Sequence, residues 1–157
     1  MLFQIHIEAM AIVDTMWSLY RQADSEIPTD VIFRVKEKDS EKTGEVWAHR
    51  LLLAGSSPVF RKQFFGPMKE EQEVIEIQDT TVEAFTVMIN FMYRAPAVSF
   101  TILQNCPQKL CEILNISERY QVVSLTGIGK ECLQKLNITS QNMMFTAATA
   151  KNYAVFE

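Results

Sequence analysis

The stretch Ala48-His-Arg-Leu-Leu-Leu-Ala-Gly-Ser-Ser-Pro-Val-Phe-Arg-Lys-Gln-Phe-Phe-Gly-Pro-Met-Lys-Glu-Glu-Gln-Glu-Val-Ile-Glu76 decides how the rest of the chain is read. Ser57 suits a helix N-cap, because its hydroxyl accepts from a free amide of the first turn. Pro58 suits the first helical position, where a missing N–H costs nothing. Val59, Phe60, Gln63 and Phe64 follow at helical spacing, and Gly66-Pro67 ends the run. The stretch therefore reads as two short helices end to end, a hard stop, an acidic loop and the start of a strand. Helices this short and this apolar are not stable alone. Leu51, Leu52, Leu53, Val59 and Phe60 are expected to hold a core.

Upstream, Val31 to Lys36 reads as a strand with Val31, Phe33 and Val35 on one side. A polar loop from Glu37 to Gly44 and a second strand from Glu45 to Ala48 complete a β-hairpin. Downstream, Val74 to Ile77 is a third strand. Thr80 and Glu83 then form a Thr-x-x-Glu capping box, which opens a helix running to about Arg94. Val82, Phe85, Ile89, Met92 and Tyr93 share one face of that helix, and Val87, Met88 and Phe91 widen it, so the helix is expected to be central. Residues 95–106 are irregular. Pro107 starts another helix, with Leu110, Ile113, Leu114 and Ser117 inward and Tyr120 closing it. A second follows with Leu125, Ile128, Cys132, Leu133 and Leu136, weakened by Gly127 and Gly129. Thr139 or Ser140 caps a last helix that is still running at Glu157. The order is α+β, a small sheet flanked by a cluster of helices.

Ahead of this body, residues 3–22 are strongly amphipathic. Ile5, Ala9, Ile12, Val13, Met16, Trp17 and Tyr20 repeat on one helical face. Such a helix packs on its own domain or on a second subunit, and because the stripe stands outside the body, across the turn-rich linker from Asp24 to Asp30, a second subunit is its expected cover. Its polar face has almost no Lys or Arg, which argues against a membrane-surface helix.

Composition narrows the function. The chain has 157 residues, 48% apolar and 22% charged, as expected of one globular domain. A net charge of −4 with no basic patch argues against direct nucleic-acid binding. Cys106, Cys111 and Cys132 make neither a disulfide framework nor a metal-ligand spacing, and buried free thiols are expected. No window is apolar enough to span a membrane, and the N-terminus lacks the positive region of a signal peptide. The sequons at Asn115 and Asn137 fall in predicted helices and read as chance. His6 and His49 are the only histidines, with nothing near either to complete a nucleophile–base set, and no phosphate-cradling glycine loop is present. Neither an enzyme nor a cofactor is expected.

Taken together, Asp30-Val31, Ala48 to Ala54, Ser57-Pro58-Val59-Phe60, Val74 to Ile77, Phe85 to Tyr93 and Glu118-Arg-Tyr-Gln-Val122 resemble the BTB/POZ domain family over roughly Asp30 to Asn137. The resemblance divides the chain into an N-terminal dimer-contact helix at 1–23, a BTB/POZ domain at 24–137 and the start of a 3-box or BACK-like helical extension at 138–157. The sequence departs from the family pattern in a longer hairpin loop, in Tyr93-Arg94-Ala95-Pro96 where Tyr-Thr-Gly is usual, and in the segment from Val98 to Cys106. The resemblance implies a cytoplasmic or nuclear homodimer with the apolar stripe packed across the dimer. It implies a charged pocket at the dimer groove formed by Asp30 and Arg50. Met68-Lys69-Glu70 falls where speckle-type POZ proteins carry a hydrophobic-x-Glu motif that binds cullin-3. The expected function is thus an adaptor for a cullin-3 ubiquitin ligase, with substrate recruited by regions outside this chain. The other expectations are a dimerisation and corepressor-docking domain of a transcriptional regulator, and a plain structural dimer or scaffold with neither partner. His49 matches a buried histidine of the family. The chain reads as a piece of a longer product.

Overall fold

Val31, Phe33 and Val35 alternate with half-buried or exposed neighbours, and that period of two lays β1 (Val31–Lys36) across the middle of a sheet. A computed structural model describes residues 28–37, 41–94 and 106–135. Strand β2 (Thr43–Ala48) pairs antiparallel with β1, with Val31 opposite Ala48 and Arg34 opposite Glu45. Strand β3 (Val74–Ile77) pairs parallel on the other side, giving the order β2-β1-β3. The outward face is pinned by exposed ion pairs, Arg34–Glu45 and Lys36–Glu76, both at 3.0 Å. Such pairs help fix register more than stability.

Five helices lie among the described residues, α1 (Arg50–Ser56), α2 (Pro58–Phe65), α3 (Val82–Arg94), α4 (Pro107–Arg119) and α5 (Val123–Gln134); α3 packs directly on the sheet, Phe60 and Phe64 of α2 reach Phe33, and α5 packs on α4. This is the expected α+β arrangement of a small sheet flanked by helices. Phe33 sits at the centre of an aromatic cluster, with ring centroids 5.5 Å from Phe60 and 5.1 Å from Phe85. Phe60 in turn stacks on Tyr120 at 4.5 Å, so the sheet, the α1–α2 pair and the end of α4 share one core. Burial pushes the Tyr120 phenol above its ordinary pKa, and does the same to the Cys132 thiol.

Ser57 is the joint between α1 and α2. Its hydroxyl accepts from the Phe60 amide as the N-cap of α2 and donates to the Tyr120 carbonyl, while Pro58 takes the first helical position. The expected cap of α3 is one residue out: Thr81, not Thr80, accepts from the Ala84 amide through its hydroxyl. Thr81 also donates to Glu112, which ties α3 to α4. Two adjacent threonines offer the same capping chemistry, and tertiary contacts choose between them. Helix α4 closes on Tyr120 as expected. Gln121 takes a left-handed φ of 53°, and the Val122 and Gln121 amides return to the Ser117 and Glu118 carbonyls.

Two further expectations change. Leu51, expected in the core, is 72% exposed, because it lies on the outer side of α1 while Leu53 is fully buried. Gly129, read as a weakness, is a packing device: a Cβ there would lie 2.6 Å from Leu114 Cδ2, so its absence lets α5 close on α4. Of the cysteines, Cys111 and Cys132 are buried and Cys106 is half-buried, all three unbridged. The apolar stripe of residues 5–20, Leu136, the departure at 95–105 and the extension at 138–157 lie outside the described residues.

Candidate interaction surface

The loop between α2 and β3 is built by the elements on either side of it. Helix α2 stops at Gly66, where any Cβ would run into the Lys62 carbonyl oxygen, so glycine is required for the chain to turn out. Pro67 follows, and Met68 stands at the tip, 93% exposed. Phe65, on the outer side of the last turn of α2, is also exposed. An exposed thioether is flexible and polarizable enough to fit an irregular apolar surface. Behind it the loop folds back: the Glu70 amide donates to the Gln63 carbonyl at 2.6 Å. The Glu70 carboxylate accepts from the Gln72 amide at 3.3 Å. Lys69 pairs with Glu71 at 2.9 Å. That bond, with a smaller contribution from Arg50, holds the Glu71 carboxyl below its usual pKa.

Arg50 reaches this loop from the start of α1. Its guanidinium donates from Nη1 to the Glu70 carbonyl at 2.7 Å, from Nη2 to the Gln72 carbonyl at 2.6 Å and from Nε to the Asp30 carbonyl at 3.1 Å. The group also lies over the Phe64 ring, 5.2 Å from the centroid. The Asp30 carboxylate accepts from the Arg50 amide at 2.7 Å and so satisfies a first-turn amide of α1 that the His49 side chain leaves unmet. The structure thus brings Asp30 and Arg50 together, and it also joins Arg50 to the loop of Met68, Lys69 and Glu70. Spacing does not reveal that second link: Arg50 and Glu70 are 20 positions apart, and backbone carbonyls leave no mark in a sequence.

His49 is buried, as expected. Its backbone amide donates to the Tyr93 hydroxyl at 2.7 Å and its Nδ1 lies 2.8 Å from the same oxygen. The pair anchors α1 to α3 inside the core.

A second surface feature has no signature in the sequence. A groove of about 410 Å³ opens between the α1–α2 corner, the end of α3 and the start of α5, lined among others by Gly55, Arg61, Met92, Gln121 and Val123. Val123 is largely exposed at its rim. Among the described residues no group of three His, Cys, Asp or Glu side chains is placed to hold a metal ion. No helix among them is long and apolar enough to cross a membrane.

Comparison with known proteins agrees with this architecture. Residues 19–151 match the family described as BTB/POZ domain. BTB/POZ domain-containing protein 9 of Mus musculus is 31% identical over 128 residues, covering 80% of this chain and 19% of the relative. BTB and MATH domain-containing protein 42 of Caenorhabditis elegans is 30% identical over 135 residues, covering 83% of this chain and 30% of the relative. BTB/POZ and MATH domain-containing protein 3 of Arabidopsis thaliana is 39% identical over 71 residues, covering 45% of this chain and 16% of the relative. The chain therefore spans less than a third of the length of these relatives. Among solved structures, the BTB domain of zebrafish PATZ1 superposes with a TM-score of 0.59 at 17% identity, covering 82% of this chain and 92% of that one. That likeness shows the fold. The chain belongs to the BTB/POZ domain family, whose members are protein-interaction modules.

Proposed function

We propose that this chain is a homodimerising BTB/POZ module of the cytoplasm or nucleus that recruits cullin-3 to a ubiquitin ligase through Met68, Lys69 and Glu70. One observation carries the reading. The hydrophobic-x-Glu motif stands on a loop whose apolar residue is 93% exposed while its glutamate is half-buried and bonded within the loop. A solvated acidic loop has no need of a fully projected methionine. A docking loop does. Relatives whose names pair the domain with a MATH domain suit a division of labour in which another region selects the substrate.

Calorimetric titration with the N-terminal region of cullin-3 tests the proposal. The wild-type chain is expected to bind with a Kd on the order of micromolar or below. Met68→Asp and Glu70→Lys are expected to remove the signal, because burying a charge without a partner at the anchor point cancels the apolar gain. Absence of heat with the wild-type chain would refute it. Dimerisation through Ile5, Ala9, Ile12, Val13, Met16, Trp17 and Tyr20 is tested separately by light scattering, where a monomer at micromolar concentration counts against it.

A second reading, corepressor docking in a transcriptional regulator, rests on Asp30 and Arg50, which lie together at the start of α1. A corepressor peptide that bound the wild-type chain and was lost in Asp30→Asn would move the assignment to that class.

A further inference from the structure

We infer that Arg50 is the positioning residue of the Met68–Glu70 loop, a clamp that sets the loop for docking and not a cation offered to a partner. The inference rests on the proposed docking role of that loop.

Arg50 sits on α1, and the loop leaves the far end of α2. Short of the sheet itself, where the Ile32 amide donates to the Glu73 carbonyl, the loop's other hydrogen bonds and ion pairs among the described residues stay within the α2–β3 segment: Glu70 to Gln63, Gln72 to Glu70 and Lys69 to Glu71. The guanidinium supplies the missing tie, and it does so in a way no other side chain reproduces. Two nitrogens in one plane take two carbonyls separated by one residue, at 2.7 and 2.6 Å. The third direction, Nε, is fixed on the Asp30 carbonyl at the start of β1. The Phe64 ring lies beneath the group. Bonds from a charged donor to carbonyls are among the stronger ones, and the fork fixes direction as well as distance. With three donor directions taken by its own backbone, Arg50 has its charge close to the acidic loop yet its geometry committed inward. The residue therefore acts on a partner through the loop it holds.

The variant Arg50→Lys separates the clamp from a simple charge effect. It keeps a positive charge near Glu70, Glu71 and Glu73, but a single ammonium cannot span the carbonyls of 70 and 72 and reach Asp30 together. Arg50→Met keeps an apolar stem over Phe64 and removes all donors.

Amide hydrogen exchange on the wild-type chain, Arg50→Lys, Arg50→Met and Met68→Asp, with cullin-3 affinity measured on the same samples, decides the matter. The reporter is the Glu70 amide, bonded to the Gln63 carbonyl, with the Leu53 and Phe60 amides as controls for the fold. The clamp predicts that exchange at Glu70 accelerates about tenfold or more in both Arg50 variants while Leu53 and Phe60 stay protected. It predicts that their affinity falls by about tenfold, in step with the lost fraction of set loop. Met68→Asp is expected to lose binding with Glu70 exchange unchanged. Unchanged exchange at Glu70 in both Arg50 variants would overturn the clamp. Normal exchange and affinity in Arg50→Lys alone would replace it with a charge effect. Faster exchange with full affinity would overturn the positioning role. If the wild-type chain binds no cullin-3, the docking proposal fails, and the exchange result still judges the clamp by itself.

Discussion

Replacing Ser57 by alanine removes one oxygen that bonds to two parts of the molecule. The hydroxyl is fully buried, accepts from the Phe60 amide at 3.1 Å and donates to the Tyr120 carbonyl at 2.5 Å. Loss of an N-cap acceptor costs about 1 kcal/mol. Leaving a buried carbonyl without its donor costs about 1–3 kcal/mol more, because no water replaces the bond. The two sum to about 2–4 kcal/mol, a large share of the stability of a domain this size. At about 2–4 °C per kcal/mol for a chain near this length, Tm should fall by roughly 5–15 °C. Urea unfolding followed by circular dichroism measures the difference, with exposed Ser56→Ala as the control. The slope with denaturant should be unchanged and the midpoint lowered. A loss below about 1 kcal/mol, or one equal to that of Ser56→Ala, would refute the account of Ser57 as the joint between the helix pair and the end of α4.

Glycine positions in α5 should respond in opposite directions. Gly127→Ala meets open space and should stabilise by about 0.5–1 kcal/mol, whereas Gly129→Ala meets Leu114 and should destabilise by about 1–3 kcal/mol; thermal melts of the two variants check this. Gln121→Gly relieves a left-handed residue at φ 53° and should raise stability by about 0.5–1 kcal/mol in the same melts, provided the α4 cap is as described. Brief maleimide labelling of the native chain, read by peptide mass spectrometry, should modify half-buried Cys106 first. Cys132, buried and with its thiol pKa pushed up, should label only on unfolding.

The elements that are legible in the sequence are those whose chemistry is local. Ser57-Pro58 announces α2 because cap and first turn are adjacent, and the alternation of Val31, Phe33 and Val35 announces the central strand. Helix α3 reads as central because apolar residues cover most of its circumference, and Phe85, Met88 and Ile89 are indeed fully buried. What escapes depends on residues far apart in the chain. Leu51 is as apolar as Leu53, and only the packing of α1 against α2 and α3 decides which of them faces out. Gly129 looks like a weakness because Leu114, 15 positions away in the chain, is what its missing Cβ accommodates. Family resemblance pairs Asp30 with Arg50, and the structure adds why they meet: a carboxylate on the first-turn amide of α1 and a guanidinium on three carbonyls. The motif Met68-Lys69-Glu70 is visible as residues, whereas the projection of Met68 and the tie behind Glu70 follow from Gly66 and Arg50.

The most direct test of the central claim is the affinity of the cullin-3 N-terminal region for the wild-type chain and for Met68→Asp, in one buffer, with equal melting temperatures confirmed first. Saturable binding on the order of micromolar or tighter is expected for the wild type, with a loss of at least about a hundredfold for the variant. Equal affinity of the two, or no binding by either, would contradict that claim.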